Sequence, residues 1–517
     1  MPLDPAILRT PPHHGDLLVV PPAHHWMHQL RENNEKLGSA TVRLGDQSLA
    51  SSRAQTRKAL TGHIDRPIIV LGHQPEFIHP GVWAKHVVAE RFARSVGGVA
   101  LNLIVDNDVL KSPAIALPHG SGDPWSLRTI RFTSAGATTP YEFLPALRPN
   151  DLNRLEEEFR AALGNAFSAS ALPAYLEGLK ALQAPRDWVD QTIAGRRAVD
   201  QAIGIKLLEH RVSSLSFLPL LLETLREPHR FAGAYNDALR TYRNAHDVRD
   251  PRRPMPDLEK TGDRCELPWW AVRGGFPRQR LFLAQHGNRY SLMAESTSIL
   301  EMTADDLSST ISLSKALARQ VTWAIRPRAI TLTLWARLLL ADFFVHGIGG
   351  AKYDAVCDAI IQQYFDHAPP HFAAVSATLR WNPAAENSLA FTENDARLAL
   401  RDARYNPQRH IQNQNATAEL ITERQKAIDT ARGLSQSNPH DRTARRSAFH
   451  RIHAANAAIL EHHPALLGQL EARLADALRT SQQSAIAWGR EYFFAAYPLT
   501  ELRSLADALP AIADFGV

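Results

Sequence analysis

Pro67-Ile68-Ile69-Val70-Leu71-Gly72-His73-Gln74-Pro75-Glu76-Phe77-Ile78-His79-Pro80-Gly81, continued by Val82–Val96 and then by Gly97-Gly98-Val99-Ala100-Leu101-Asn102-Leu103-Ile104-Val105, is the stretch on which the fold turns. Pro67 to Leu71 is apolar and rich in β-branched side chains, the composition of a strand buried on both faces. Gly72 to Gly81 reads as a turn region. Val82, Val87, Val88, Phe92 and Val96 recur at helical spacings, and Gly97-Gly98 stops that helix. Ala100 to Val105 reads as a second buried strand, ending in Asp106-Asn107-Asp108. Strand, turn, helix and parallel strand make a βαβ unit. The handedness of such units sets the loops 72–81 and 106–111 side by side at the carboxyl edge of the sheet, where open α/β sheets bind ligands.

Outward from this unit, the chain of 517 residues exceeds the roughly 250–300 at which single cores stop growing, so two or three units are expected. Residues 1–60 hold Pro11-Pro12-His13-His14 and Pro21-Pro22-Ala23-His24-His25-Trp26, read as a loop-rich arm packed on the body rather than a metal-binding tract. Leu155, Phe159 and Leu163 open a helical region over about 150–230. Trp269-Trp270-Ala271-Val272, Gly274-Gly275 and Arg280-Leu281-Phe282-Leu283 mark a small β-rich insertion at 265–293. Within three groups, Ile421 and Ile428, then Phe449, Ile452 and Ile459, then Leu467, Leu470, Leu474 and Leu478, apolar residues step by threes, fours and sevens, the pattern of an amphipathic helical pair broken at Ser435–Pro439. The expected fold is therefore α/β, with a Rossmann-like parallel-sheet core over 1–410. A coiled-coil-like helical hairpin over 411–485 follows, and 486–517 returns to pack on the core. The hairpin serves either as a cap on its own core or as a homodimer contact.

Composition narrows the function classes. A hydrophobic fraction of 44% and a charged fraction of 21% belong to a globular chain. Two cysteines, Cys265 and Cys357, exclude a disulfide scaffold and a thiolate zinc module and suit a reducing cytoplasm. Met1 to Pro5 has neither a basic nor an apolar signal segment, so secretion is not expected. The most apolar region, 329–350, is interrupted by Arg337, Asp342 and His346, short of the roughly 20 uninterrupted residues of a membrane span. A net charge of +5 is too dilute for a nucleic-acid footprint.

The 72–81 loop lacks the Gly-Lys-Ser/Thr ending of a phosphate P-loop, and its glycines are too far apart for a dinucleotide fingerprint. It does place His73, Gln74 and His79 before a helix amino end, where backbone N–H groups and the helix dipole favour an anion. His79-Pro80-Gly81-Val82 partly echoes the His-x-Gly-His signature of nucleotidyl transferases, with valine in the fourth place. Each histidine serves equally well as a structural hydrogen-bonder. Asp106, Asn107 and Asp108 at a strand's carboxyl end suit ribose, an amine or hydrated Mg²⁺, and equally an Asx turn. His346-Gly347-Ile348-Gly349-Gly350-Ala351-Lys352-Tyr353 is a glycine-rich turn that lets a backbone approach a ligand, or one needed only for packing. Lys352 and Arg326 offer cations to a phosphate or carboxylate. Cys357 has no adjacent base, Ser214 and Ser216 have no nucleophile-elbow context, and no zinc pattern appears.

Together these blocks resemble the bacillithiol-biosynthesis cysteine-adding enzymes, described as cysteine ligases. Gly72 to Gly81 lines up with that family's Gly-Gln-Gln-x-Gly-Leu-Phe-Thr-Gly-Pro loop, and Asp106-Asn107-Asp108 with its Asp-His-Asp. Arg326-Pro327 and the 346–353 turn match its later Arg-Pro segment and Gly-Gly-Pro-Gly-Glu turn. The 415–480 helices and Trp488–Phe494 resemble its dimerising hairpin and aromatic segment. The chain departs from the pattern at His73, Glu76 and His79-Pro80-Gly81. The resemblance implies a ligase joining an amino acid, cysteine in the family, to an amino group of a small acidic metabolite, with ATP as the activating partner. No tightly bound metal or organic cofactor is expected. On this expectation His73, Gln74 and His79 are catalytic, and Gly72, Asp106, Asn107, Asp108, Arg326, His346, Gly349, Gly350 and Lys352 bind substrate. The alternative is a non-catalytic nucleotide- or metabolite-binding or scaffold protein that kept the fold.

Overall fold

The computed structural model describes residues 7–120, 125–384, 392–411, 417–437 and 440–516. These fall into two compact units, one drawn from 1–117, 128–379 and 490–517, the other from 118–127 and 380–489.

The first unit is α/β and is built on a six-stranded sheet. Its strands are β1 (Leu17–Val20), β2 (Ile68–His73), β3 (Val99–Ile104), β4 (Leu208–Arg211), β5 (Phe343–His346) and β6 (Phe372–Ala377). They lie in the order β1-β6-β5-β2-β3-β4, all neighbours parallel except the antiparallel β1–β6 pair. From β2 the chain winds outward to β3 and β4, then restarts on the other side of β2 with β5 and β6. The winding therefore reverses between β2 and β5. Ile68 to Leu71 is buried on both faces, which is why this strand reads as an unbroken apolar run. At the amino edge of the same two strands, buried Asp342 accepts from Ile68 N at 2.7 Å and pairs with Arg53 at 2.6 Å and Arg57 at 2.8 Å.

Helix α1 (Pro80–Ser95) carries the chain from β2 towards β3, with Pro80 in its first turn, where a missing N–H costs nothing. Helix α2 (Ala329–Trp335) runs into a π-helical turn over Ala336–Leu340, and α3 (Ile348–Phe365) follows β5 directly. Two sheet strands depart from the sequence expectations. β1 lies inside what reads as a loop-rich arm, and β4 inside what reads as a wholly helical region. Both are four-residue edge strands; Leu208-Glu209-His210-Arg211 carries three polar residues and no apolar run.

The β-rich insertion is larger than 265–293. Strands Thr297–Thr303, Arg289–Ala294, Gln279–His286, Arg264–Val272 and Ala324–Pro327 form one antiparallel sheet in that order. Residues after 490 return to the first unit: Phe494 N donates to the Ile78 carbonyl at 2.8 Å, and Phe493 packs edge-on to Phe77 with centroids 4.9 Å apart.

Among its described residues the second unit holds four α-helices, α4 (Thr392–Tyr405), α5 (Ala418–Ser437), α6 (Arg442–Glu461) and α7 (Pro464–Ala487). α5 packs on α6 and α4 on α7. Buried Arg424 donates to Asn456 at 2.6 Å, and both side chains reach the Tyr405 carbonyl at 2.9 Å. Three helices, not two, thus occupy the stretch expected as a hairpin, because Pro464 starts a new helix after α6. Among the described residues no helix is long and apolar enough to cross a membrane.

Candidate functional site

β2 ends at His73, and His79 caps α1: its Nδ1 accepts from Gly81 N at 3.1 Å. One strand over, β5 ends at His346, and Gly347 is the cap of α3. Parallel pairing of Val345 with Leu71 keeps the two strand ends level. Two helix amino ends, each carrying about half a positive charge, therefore open at the point where the winding reverses.

A cavity of about 440 Å³ occupies this point. It is lined by Gly72, His73, Gln74, His79, Gly81 and Lys85 on one side and by His346, Gly347, Ile348, Gly349 and Gly350 on the other. Ala329, Leu332, Thr333 and Ala336 form an apolar wall, and Ser376, Arg490 and Glu491 complete it. Close approach explains two glycines. A Cβ at Gly81 would stand 2.5 Å from the Ala377 carbonyl oxygen, and one at Gly350 would stand 2.8 Å from His346 Nδ1.

The lining is electropositive. Lys85 is 3% exposed, and its ammonium donates to the Gly72 carbonyl at 2.9 Å. Burial lowers it from the usual 10.5 to about 8. Burial also takes His79 down to about 4, helped by Arg490, Lys85 and Lys111. Neutral His79, with Nδ1 accepting, carries its proton on Nε2 and is a donor there. His73 is held well below the usual histidine value by burial and then by Lys85. Its Nδ1 lies 3.1 Å from the Gln74 carbonyl, so Nδ1 holds the proton and Nε2 is left as an acceptor.

Behind His346 runs a buried polar chain. Its Nε2 is 3.0 Å from Asp354, Asp354 is 2.8 Å from Arg337, and Arg337 is 2.7 Å from Asp358. Arg337 holds the Asp354 carboxyl below the usual range against its burial, whereas Asp358 is raised, first by burial. Cys357 beside them is buried and its thiol is pushed far up, so it remains protonated.

Of the residues expected from sequence, Gly72, His73, Gln74, His79, His346, Gly349 and Gly350 meet at this cavity, and the others do not line it. Asp106 is fully buried and occupied by Arg211 Nε at 2.8 Å, Ser213 N at 2.8 Å and Ser213 Oγ at 2.5 Å. Asn107 Nδ2 donates to the Pro327 carbonyl at 2.8 Å. Asp108 accepts from Gln74 Nε2 at 2.8 Å and pairs with Arg278 at 2.9 Å, so it braces the first loop from behind. Arg326 belongs to the antiparallel sheet and pairs with Glu142 at 2.8 Å. Lys352 lies in α3, outside the lining.

Sequence reasoning missed Lys85, Ser376 and Arg490. Lys85 had a signal, since it sits three residues before Val88 and four after Gly81 on the buried side of α1. Arg490 had none, since only the folded return of the chain brings it here. Among the described residues no group of histidine, cysteine and carboxylate side chains is placed to hold a metal ion. No protein-family model matches the sequence, and no curated protein matches it.

Proposed function

We propose that the protein is an ATP-linked carbon–nitrogen ligase that joins an amino acid, cysteine by resemblance, to an amino group of a small acidic metabolite, as in bacillithiol-type thiol biosynthesis. The observation that carries this reading is the cavity itself, where two helix amino ends, Lys85 and the His79 Nε2 donor face one space. Such a set favours a polyanion and stabilises charge that develops on a transferring phosphoryl or acyl group. The strand order β4-β3-β2-β5-β6 supports a Rossmann-like core, which binds nucleotides at this crevice. His73 Nε2, an acceptor at the same wall, takes the role of base toward the incoming amine.

In this reading ATP phosphates meet the helix ends and His79, and the His346–Asp354 pair orients the second substrate. The half-buried Leu467, Leu470 and Leu474 with exposed Leu478 on α7 make the contact of a twofold dimer. The two buried, free cysteines support a cytoplasmic setting.

One observation favours the second reading, a binding protein that kept the fold. Among the described residues lining the cavity, exposed Glu491 is the one carboxylate, so neither Asp106 nor Asp108 is placed to hold an amino acid's ammonium. Titration of ATP into the wild type and a His73→Ala/His79→Ala double variant, with product formation followed in parallel, separates the two. The ligase reading expects wild-type binding that the double variant loses, together with turnover. Equal binding in both, or none in either, counts against it.

A further inference from the structure

We propose that Lys85 is the counter-ion of a phosphoryl group held between the amino ends of α1 and α3, so that the crevice selects phosphate esters and anhydrides. This rests on the crevice reading above and adds to it the residue and the ligand class. Four of the other buried cations of this unit are paired with carboxylates: Arg53 and Arg57 with Asp342, Arg328 with Glu266, Arg337 with Asp354. Lys85, at 3% exposure, has no such partner among the described residues and is held by a single carbonyl. A buried ammonium without an anion is costly, and an anion entering the cavity removes that cost.

The geometry favours a tetrahedral oxyanion. The Lys85 stem runs beside Gly347, the cap of α3, with Cδ 3.9 Å from where a Cβ there would stand. Its own helix starts at His79, whose free donor is Nε2. Donors thus come from two helix ends, an imidazole and an ammonium, more directions than a planar carboxylate satisfies and suited to the three oxygens of a phosphoryl group. The titratable and charged groups around Lys85 are His73, His79, His86, His346, Arg490 and Glu491, and the one anion among them is exposed. Bound phosphate draws the ammonium from the Gly72 carbonyl and keeps it charged above pH 8, so binding at pH 8.5 takes up a proton.

The test is calorimetric titration of inorganic phosphate, pyrophosphate and ATP into wild type and Lys85→Met at pH 7.5 and 8.5. Pyrophosphate is expected to bind wild type and to bind the variant at least tenfold more weakly, with proton uptake at pH 8.5 in wild type alone. Equal affinity in both proteins overturns the role of Lys85 and leaves the crevice reading standing. Lys85-dependent binding of pyrophosphate without binding of ATP sustains Lys85 and sinks the ATP-linked ligase. Absence of phosphate, pyrophosphate and ATP binding to wild type overturns both.

A second measurement needs no variant. Pyridoxal 5′-phosphate forms an imine with an amine, losing water, and borohydride fixes it as a secondary amine. Of the chain's ten lysines, Lys85 should be labelled first and be protected by pyrophosphate. Labelling spread over other lysines with Lys85 unmodified would overturn the proposal.

Discussion

Lys85 is costly to the folded protein whenever it is charged, and the sign of that cost can be worked out. Its folded value of about 8 lies below the usual 10.5, so between these the unfolded chain binds more protons and stability rises with pH. Below pH 8 both states are charged and the penalty is complete. Lys85→Met should therefore be more stable than wild type at pH 7 by up to about 3 kcal/mol, an advantage that fades as pH climbs towards 10.5. Urea denaturation of both proteins at pH 7 and pH 10 measures it; an advantage that grows with pH would contradict the buried, unpaired ammonium. Asp106 behaves oppositely. Asp106→Asn removes the charge that holds Arg211 and Ser213 and should cost about 2–3 kcal/mol of stability, while pyrophosphate affinity stays within about twofold of wild type. From sequence Asp106 is indistinguishable from a ligand-binding aspartate, because its partners lie 105 and 107 residues away. The residue types at β2 and β5 are legible; whether a carboxylate is already occupied is not.

At the scale of elements, the βαβ unit is legible almost residue for residue, since its strands are buried on both faces and its helix is closed by Gly97-Gly98. The edge strands β1 and β4 are not: Leu208-Glu209-His210-Arg211 has no apolar run, and Leu17-Leu18-Val19-Val20 is a run of only four set among prolines and histidines. Glycines at the two helix ends separate by the same logic of space. A Cβ at Gly349 meets nothing within 4 Å, so Gly349→Ala in the first turn of α3 should leave stability unchanged or raise it by about 0.5–1 kcal/mol. Gly81→Ala must push α1 off the Ala377 carbonyl and should cost about 1–3 kcal/mol. The pair of urea midpoints decides this; similar shifts in both would mean that α1 does not press on β6. Arg337, in the π-helical turn after α2, compensates buried Asp354 and half-buried Asp358, and Arg337→Met should cost about 3–5 kcal/mol by the same measurement.

For the whole molecule, the helical composition of 415–480 is legible but its partition into helices is not. Ile459 and Leu467, eight apart, keep a helical spacing across Pro464, and spacing says nothing about which helix packs on which. The proposed twofold contact through α7 predicts a dimer at micromolar concentration in sedimentation velocity, and a monomer there would remove that contact from the functional proposal.

The return of residues 490–516 to the first unit has a consequence in time. One wall of the crevice is written from Gly72 and the lining is finished at Glu491, and a ribosome adding about 5–20 residues per second needs tens of seconds between them. Throughout that interval Phe77 waits for Phe493, and Trp83 for Phe494, whose rings close over them only when synthesis is nearly done. The nascent chain thus carries an aromatic surface with its cover still untranslated, a stage at which a chaperone would find a place to hold.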